Sequence, residues 1–329
     1  MSARLAAVLL LAFGAAAPAH AELYYLIVAG LGGEPAYQEQ FDKDAAALAA
    51  VARRTTAASR VMLLQGEGAT REAVASGFES LRTRAKPADS LVVMLVGHGS
   101  YDGEAYKLNL PGPDIDGDEI VKLLAEVPAR SQLIVNATSA SGAVLEKWAG
   151  EGRTLITATR SGFERNATRF AQHFAAALAE GAADINKNGA ITAQEAFDYA
   201  SRSVADSFEK DGALATEHPQ IAGGAAGRFT VARLAAAGPA VDPSAASPAV
   251  AALVAERERL DTEIEGLRAR RESMASDAYL AELQQLLVQL AEVQAKIDAE
   301  QPRPQQAEQP RPQQAEQPRP QQTERSGPQ

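Results

Sequence analysis

Cysteine is absent from the 329 residues. Its absence excludes disulfides, cysteine-ligated zinc and any thiol nucleophile, whatever compartment the chain occupies. Aromatic residues are sparse at 5% while hydrophobic residues reach 46%, so a core must be built mainly from aliphatic side chains and alanine. An excess of positive charge is missing too. The formal net charge is -10 and the pI is near 5.1, which leaves no bulk attraction for nucleic acid. Beyond the N-terminus no apolar run approaches the ~20 residues that a membrane-spanning helix needs.

What is present begins with a leader. Arg4, the apolar stretch Leu5 to Phe13 and the Ala19-His20-Ala21 site before Glu22 describe a secretory signal peptide over 1–21. The apolar stretch is too short to hold a bilayer as a stable helix. The expected mature protein is exported, to the periplasm.

Residues 22–234 read as an α/β domain. Leu23 to Gly30, Arg60 to Leu64, residues 90–96, residues 132–137 and Thr154 to Thr159 are short apolar runs with the length and bounds of buried strands. Helical periods fall between them, at 37–53, 71–84, 118–126, 142–149 and 166–180. Such alternation predicts a mostly parallel sheet flanked by helices. Gly30-Leu31-Gly32-Gly33 lacks the spacing of a dinucleotide-binding turn and reads as a plain turn. Two strands end in chemistry-bearing residues: Leu91 to Val96 runs into Gly97-His98-Gly99-Ser100, and Leu133 to Ala137 into Thr138-Ser139-Ala140-Ser141-Gly142. Ligands in open α/β sheets bind beyond the carboxyl ends of strands. Neighbouring strands would bring these tips to roughly 5 Å of each other, close enough for one imidazole to serve one hydroxyl.

Two acidic stretches invite a metal reading. In Asp114-Ile115-Asp116-Gly117-Asp118-Glu119 the acids are expected to cap the following helix instead. The stretch Asp184-Ile185-Asn186-Lys187-Asn188-Gly189-Ala190-Ile191-Thr192-Ala193-Gln194-Glu195 is different. It matches a twelve-residue EF-hand loop, with oxygen side chains from Asp184, Asn186, Asn188 and Thr192, the Ala190 carbonyl, glycine at the sharp turn and Glu195 at the last position. An Asn188-Gly189 turn leading into a Thr192–Glu195 capping box is the competing reading. Capping alone does not require acids and amides at alternate positions, so calcium is the expected ligand. With two charged ligands and Lys187 among them, affinity should be weak, on the order of 10⁻⁴ to 10⁻³ M.

Residues 235–247 turn to Ala, Gly, Pro and Ser, a linker. Over 248–300, Val250, Leu253, Leu260, Ile264 and Leu267, then Leu280, Leu283, Leu287, Leu290, Val293 and Ile297, recur at three- and four-residue spacing. They predict a helical hairpin or coiled coil that could also self-associate. The Gln-Pro-Arg-Pro repeats of 301–329 offer no core and predict a disordered tail.

The strand ending in Gly97-His98-Gly99, the strand ending in Ala137 to Gly142, the Asn166 to Phe174 helix and Thr216-Glu217-His218-Pro219-Gln220 together resemble the caspase, gingipain and legumain group of cysteine peptidases. Within it the chain is similar to bacterial exported legumain-like proteins over about residues 23–225, and to about residue 300 through members that carry an EF-type loop and a C-terminal helical hairpin. The resemblance implies a caspase-like sheet, His98 as general base or acid, and the Gly99 amide at an oxyanion hole. It puts the nucleophile at Ser139, or at Thr138 if the alignment rests on Ala137. In either register the family's cysteine is replaced.

A thiol ionises usefully near neutrality, with a pKa of roughly 8.5, and a serine hydroxyl does not. Serine therefore needs a well-placed base that is itself oriented, and no carboxylate in the sequence is evidently assigned to His98. The expectation is a calcium-binding peptidase homologue without catalysis that binds a protein or peptide. The alternatives are a hydrolase with Ser139 as nucleophile and His98 as base, and an envelope module that acts through its C-terminal hairpin.

Overall fold

The computed structural model describes residues 21–234, 248–271 and 274–300. The expected leader (Ala21 apart), the linker and the repeat tail lie outside the described residues. The chain divides into two units, one running to Ala245 and one from Ala246.

The first unit opens with β1 (Leu23–Ala29), α1 (Pro35–Thr55), β2 (Val61–Leu64), α2 (Arg71–Arg84) and β3 (Ser90–Gly97). Three short strands follow, β4 (Gly99–Tyr101), β5 (Tyr106–Leu108) and β6 (Ile115–Asp116), then α3 (Gly117–Glu126) and β7 (Ser131–Thr138). The remainder is β8 (Arg153–Thr157), α4 (Phe170–Glu180), β9 (Ala190–Thr192), α5 (Ala193–Lys210), β10 (Gln220–Ala222) and β11 (Thr230–Arg233). Six strands form the central sheet in the order β10-β8-β7-β3-β1-β2. All its pairings are parallel except β10 on β8, which is antiparallel. This is the α/β architecture expected from the alternation of strands and helices.

Side chains alternate across the strands, and both faces are apolar. On β1, Tyr25, Ile27 and Ala29 join α1, α4 and α5 in one core, while Tyr24, Leu26 and Val28 join α2 and α3 in the other. A sheet covered on both sides has to read as continuous hydrophobic runs, as β1, β3 and β7 do. Burying each large aliphatic side chain contributes about 1.5–3 kcal/mol, so the central strands anchor the unit.

Three local expectations need correction. The helix expected over 142–149 is a 3-10 turn at Ser141–Val144 and a further bend. Gly142 lies so close to the chain opposite that a Cβ there would meet the Ser161 nitrogen at 2.2 Å, which leaves no room for a regular helix. The helix expected from 166 begins at Phe170, because Thr168 turns its hydroxyl to the Ala137 carbonyl (2.6 Å). The acids at 114–119 do not cap α3 through their side chains. Asp114 accepts from the Leu110 amide and the Asn109 side chain, and Glu119 pairs with Arg71 across to α2.

In the second unit, α6 (Pro248–Ala269) and α7 (Ser276–Glu300) pack on one another. Leu260, Ile264 and Leu267 meet Leu286, Leu290, Val293 and Ile297 in one apolar seam.

Candidate functional site

β3 and β7 are neighbours in register, with Gly97 opposite Thr138. The residue following each strand therefore emerges beside the other. His98 Nδ1 lies 3.3 Å from the Ser139 hydroxyl oxygen. Two features force this approach. Ala140 adopts a left-handed conformation (φ 57°) that turns the chain sharply after Ser139, and its amide donates to the Glu164 carbonyl (2.8 Å). Gly99 sits where a Cβ would come within 2.5 Å of the Ser139 carbonyl oxygen and 2.8 Å of the Thr138 hydroxyl. Only glycine lets the two strand ends close to this distance.

Thr138 and Ser139 are adjacent, so their side chains point to opposite faces. Thr138 is buried and engaged with the Tyr106 hydroxyl (2.6 Å), the Asn136 side-chain oxygen (2.8 Å) and the Ser139 carbonyl (3.0 Å). Burial pushes the Tyr106 phenol up to about 12, so this cluster stays uncharged. Of the two candidate positions, Ser139 is the one whose hydroxyl meets the imidazole. That hydroxyl is enclosed, because Ser139 is 1% exposed.

His98 is held by aromatic rings and backbone. Tyr37 and Phe41 of α1 meet it edge-on, with centroids at 5.2 and 5.1 Å. Desolvation lowers its pKa below the ordinary histidine value, against the Gly32 backbone and the Glu34 charge, which both raise it. The ring is therefore neutral at pH 7. Among the described residues no carboxylate is within ion-pair distance of His98, whereas His218 has one: its Nδ1 lies 2.6 Å from Glu164 Oε1.

The loop after β8 forms a wall next to Ser139. Phe163 is exposed, lies edge-on to Tyr101 (5.7 Å) and carries the Arg165 guanidinium over its face. Glu164 accepts from the backbone amides of Arg160 and His218 (both 3.1 Å), so this loop is tied to the chain that leads into β10. Next to it, Glu217 is buried and receives the Arg169 amide (3.0 and 2.9 Å), capping α4 from 48 residues away. Burial pushes the Glu217 carboxyl up to about 7, although the amides of Arg169 and Phe170 favour its ionised form. The Thr216–Gln220 stretch carried the family resemblance without a role; its role in the fold is to cap this helix and brace this wall. The ring contacts of Tyr37 and Phe41 had no signal in the sequence beyond the helical period over 37–53 that carries both residues.

The 184–195 loop lies elsewhere in the sequence and folds on itself. Asp184 is 3% exposed, and its two oxygens accept the amides of Asn188 (3.1 Å) and Gly189 (3.0 Å). Asn186 accepts from the Asn188 amide, and Asn188 from the Ala190 amide. Gly189 takes φ 76°, and Thr192 and Glu195 form a reciprocal capping box. The turn and capping features expected as the competing reading are thus present together with the full set of oxygen donors. β9 pairs antiparallel with β11, so the loop's strand has its partner within the same unit. Among the described residues no three His, Asp or Glu side chains gather as a metal cluster. A loop whose other donors are amides, a hydroxyl and a carbonyl does not form one.

No family model matches the chain, and no curated protein matches it. Among solved structures, protein GSU0716 from Geobacter sulfurreducens is similar at a TM-score of 0.40 and 14% identity, over 61% of this chain and 92% of that one. A likeness of that size carries no argument about function. Among the described residues no helix is long and apolar enough to cross a membrane.

Proposed function

We propose that this chain is an exported, peptide-binding homologue of the caspase, gingipain and legumain peptidases that does not hydrolyse what it holds. One observation carries the reading: the hydroxyl at the nucleophile position is enclosed, and the imidazole beside it has no carboxylate to orient it. Serine chemistry needs the proton taken during attack by a base in a fixed tautomer, and a substrate carbonyl must reach the oxygen. Exposed apolar side chains remain around the site, Leu31 and Tyr37 before and on α1 and Phe163 on the loop after β8. They suit an extended peptide with apolar side chains.

The test is direct. The mature protein, incubated with a fluorophosphonate probe and with a diverse peptide library, is expected to take no label and release no product while retaining some peptides by affinity capture. Labelling that Ser139→Ala abolishes would establish the second reading, a serine hydrolase, which the 3.3 Å approach of His98 to Ser139 favours.

Calcium belongs to the proposal as a structural ligand of Asp184, Asn186, Asn188, Ala190, Thr192 and Glu195. The twelve-residue spacing of oxygen-bearing side chains, with Asp184 and Glu195 as its two acids, supports this ligand. Millimolar calcium is expected to raise the melting temperature, and Glu195→Gln to remove the rise. An unchanged melting curve in the unsubstituted protein would reject the site.

A further inference from the structure

The end of the sheet away from His98 and Ser139 holds a cleft that the proposed function does not use. It lies where β7 and β8 begin, between the chain after α3 (127–130) and the turn before β8 (150–152), with a volume of about 840 Å³. Gln132, in its wall, precedes Thr138 on β7, and roughly 20 Å of strand separates the cleft from the hydroxyl site. Gly152 closes the two segments on each other. It adopts φ 72°, and a Cβ there would meet the Arg130 carbonyl oxygen at 2.0 Å.

Two side chains build the polar wall. Gln132 is buried, and its Nε2 donates to the carbonyls of Leu124 (3.1 Å), Val127 (3.4 Å) and Ala129 (3.1 Å). With the nitrogen committed to these acceptors, the amide oxygen faces Arg153, whose Nε donates to it at 3.0 Å. The guanidinium is thus held by its inner nitrogen, while its two terminal nitrogens have no acceptor among the described residues. It also lacks a counter-charge: desolvation alone acts on its pKa, lowering it. The other charged residues of the cleft, Arg130 and Glu151, form no ion pair among the described residues. A half-buried guanidinium stays ionised, and leaving it uncompensated is costly. Two arginines against one glutamate leave a single formal positive charge in the lining. Ala125, Val127, Pro128 and Ala129 make the rest of that side apolar.

We infer that this cleft binds a small organic monoanion, a carboxylate on a short apolar body, whose oxygens take the two terminal nitrogens of Arg153. The fork of a guanidinium meets a carboxylate in two parallel hydrogen bonds. The volume is that of a small-molecule site, which is mostly apolar with a few oriented polar groups. A phosphate dianion suits it less, with one oriented guanidinium to hold it and Glu151 in the lining.

Benzoate is the probe, with its neutral isostere benzamide and inorganic phosphate beside it, each titrated calorimetrically into the full mature chain. Benzoate is expected to bind with a Kd on the order of 10⁻⁴ M, and benzamide not to bind. Arg153→Gln should weaken benzoate by about tenfold or more. Gly150→Leu keeps the arginine and adds a side chain against it, since a Cβ at 150 stands 3.7 Å from Arg153 Nη1. It should weaken benzoate by about fivefold or more, and native emission from buried Trp148 identifies a folded variant. No benzoate binding at about 10 mM, equal binding of benzamide, tighter binding of phosphate, or unchanged benzoate binding in either folded variant would overturn the inference. The cleft lies outside the His98–Ser139 site, so none of these results bears on peptide capture there.

Discussion

The sheet of the first unit is closed on both faces, and the hairpin of the second on one. β1, β3 and β7 lie between two apolar cores, and their buried apolar residues pack alternately into one or the other. α6 and α7 share a single seam. The doubly closed unit can hold a strained, glycine-dependent site at its strand tips without yielding. The singly closed unit has little stability to spare.

The largest effects should separate the two. Phe174→Ala, which opens a cavity under the sheet, is expected to destabilise the first unit by about 3–5 kcal/mol. Trp148 is the only tryptophan and wholly buried there, so its emission reports that unit's unfolding midpoint. Ile264→Ala removes about 2–5 kcal/mol of seam packing, more than a two-helix unit can spare. It should erase hairpin helicity while Trp148 emission stays native. A hairpin that remains folded after this change would break the contrast.

A smaller effect lies in the pH response of the first unit. The Glu217 carboxyl, raised to about 7 by burial, binds more protons folded than unfolded in the interval below that value. Its contribution is therefore full at pH 4 and lost as pH rises through 7. Over that span the loss is on the order of 2–3 kcal/mol at 1.36 kcal/mol per pH unit. Glu217→Gln should flatten this part of the stability curve and stabilise the protein at pH 8 relative to the parent. An equal slope in both proteins would show that Glu217 does not titrate in this range. Smallest of all, Ser139→Ala gives up one long hydrogen bond and should change stability by at most about 1 kcal/mol. Captured peptides should bind it undiminished, whereas a loss of binding would make the hydroxyl a ligand contact.

Most of the sheet was legible in the sequence because its strands are buried on both faces and therefore read as unbroken apolar runs. α2 spans Arg71–Arg84, the bounds its helical period predicts. β4, β5 and β6 were not legible, since two- and three-residue strands show no period. The choice between Thr138 and Ser139 was closed to the sequence for a related reason. Adjacent strand residues face opposite ways, so the register with β3 and the turn at Ala140 decide which hydroxyl meets His98. The wall at Phe163 and the Glu217 cap join segments some fifty residues apart, and no local pattern announces such contacts. α7 shows the reverse case: Leu280 and Leu287, expected as seam residues, are exposed, because the periodic positions of this helix belong to two stripes and the sequence does not say which one α6 takes.

The hydroxyl of Tyr25, on the first strand, donates to the carbonyl of Val231, on the last, 206 residues later (2.7 Å). The first strand has its sheet partners β2 and β3 once Gly97 is made, but this last tie to it waits until nearly the whole unit has been delivered. The strand that pairs with β9, at the end of the 184–195 loop, arrives at the same moment. Assembly should therefore end in a single late step, and any nascent chain that stops short of β11 would offer proteases an unfinished edge.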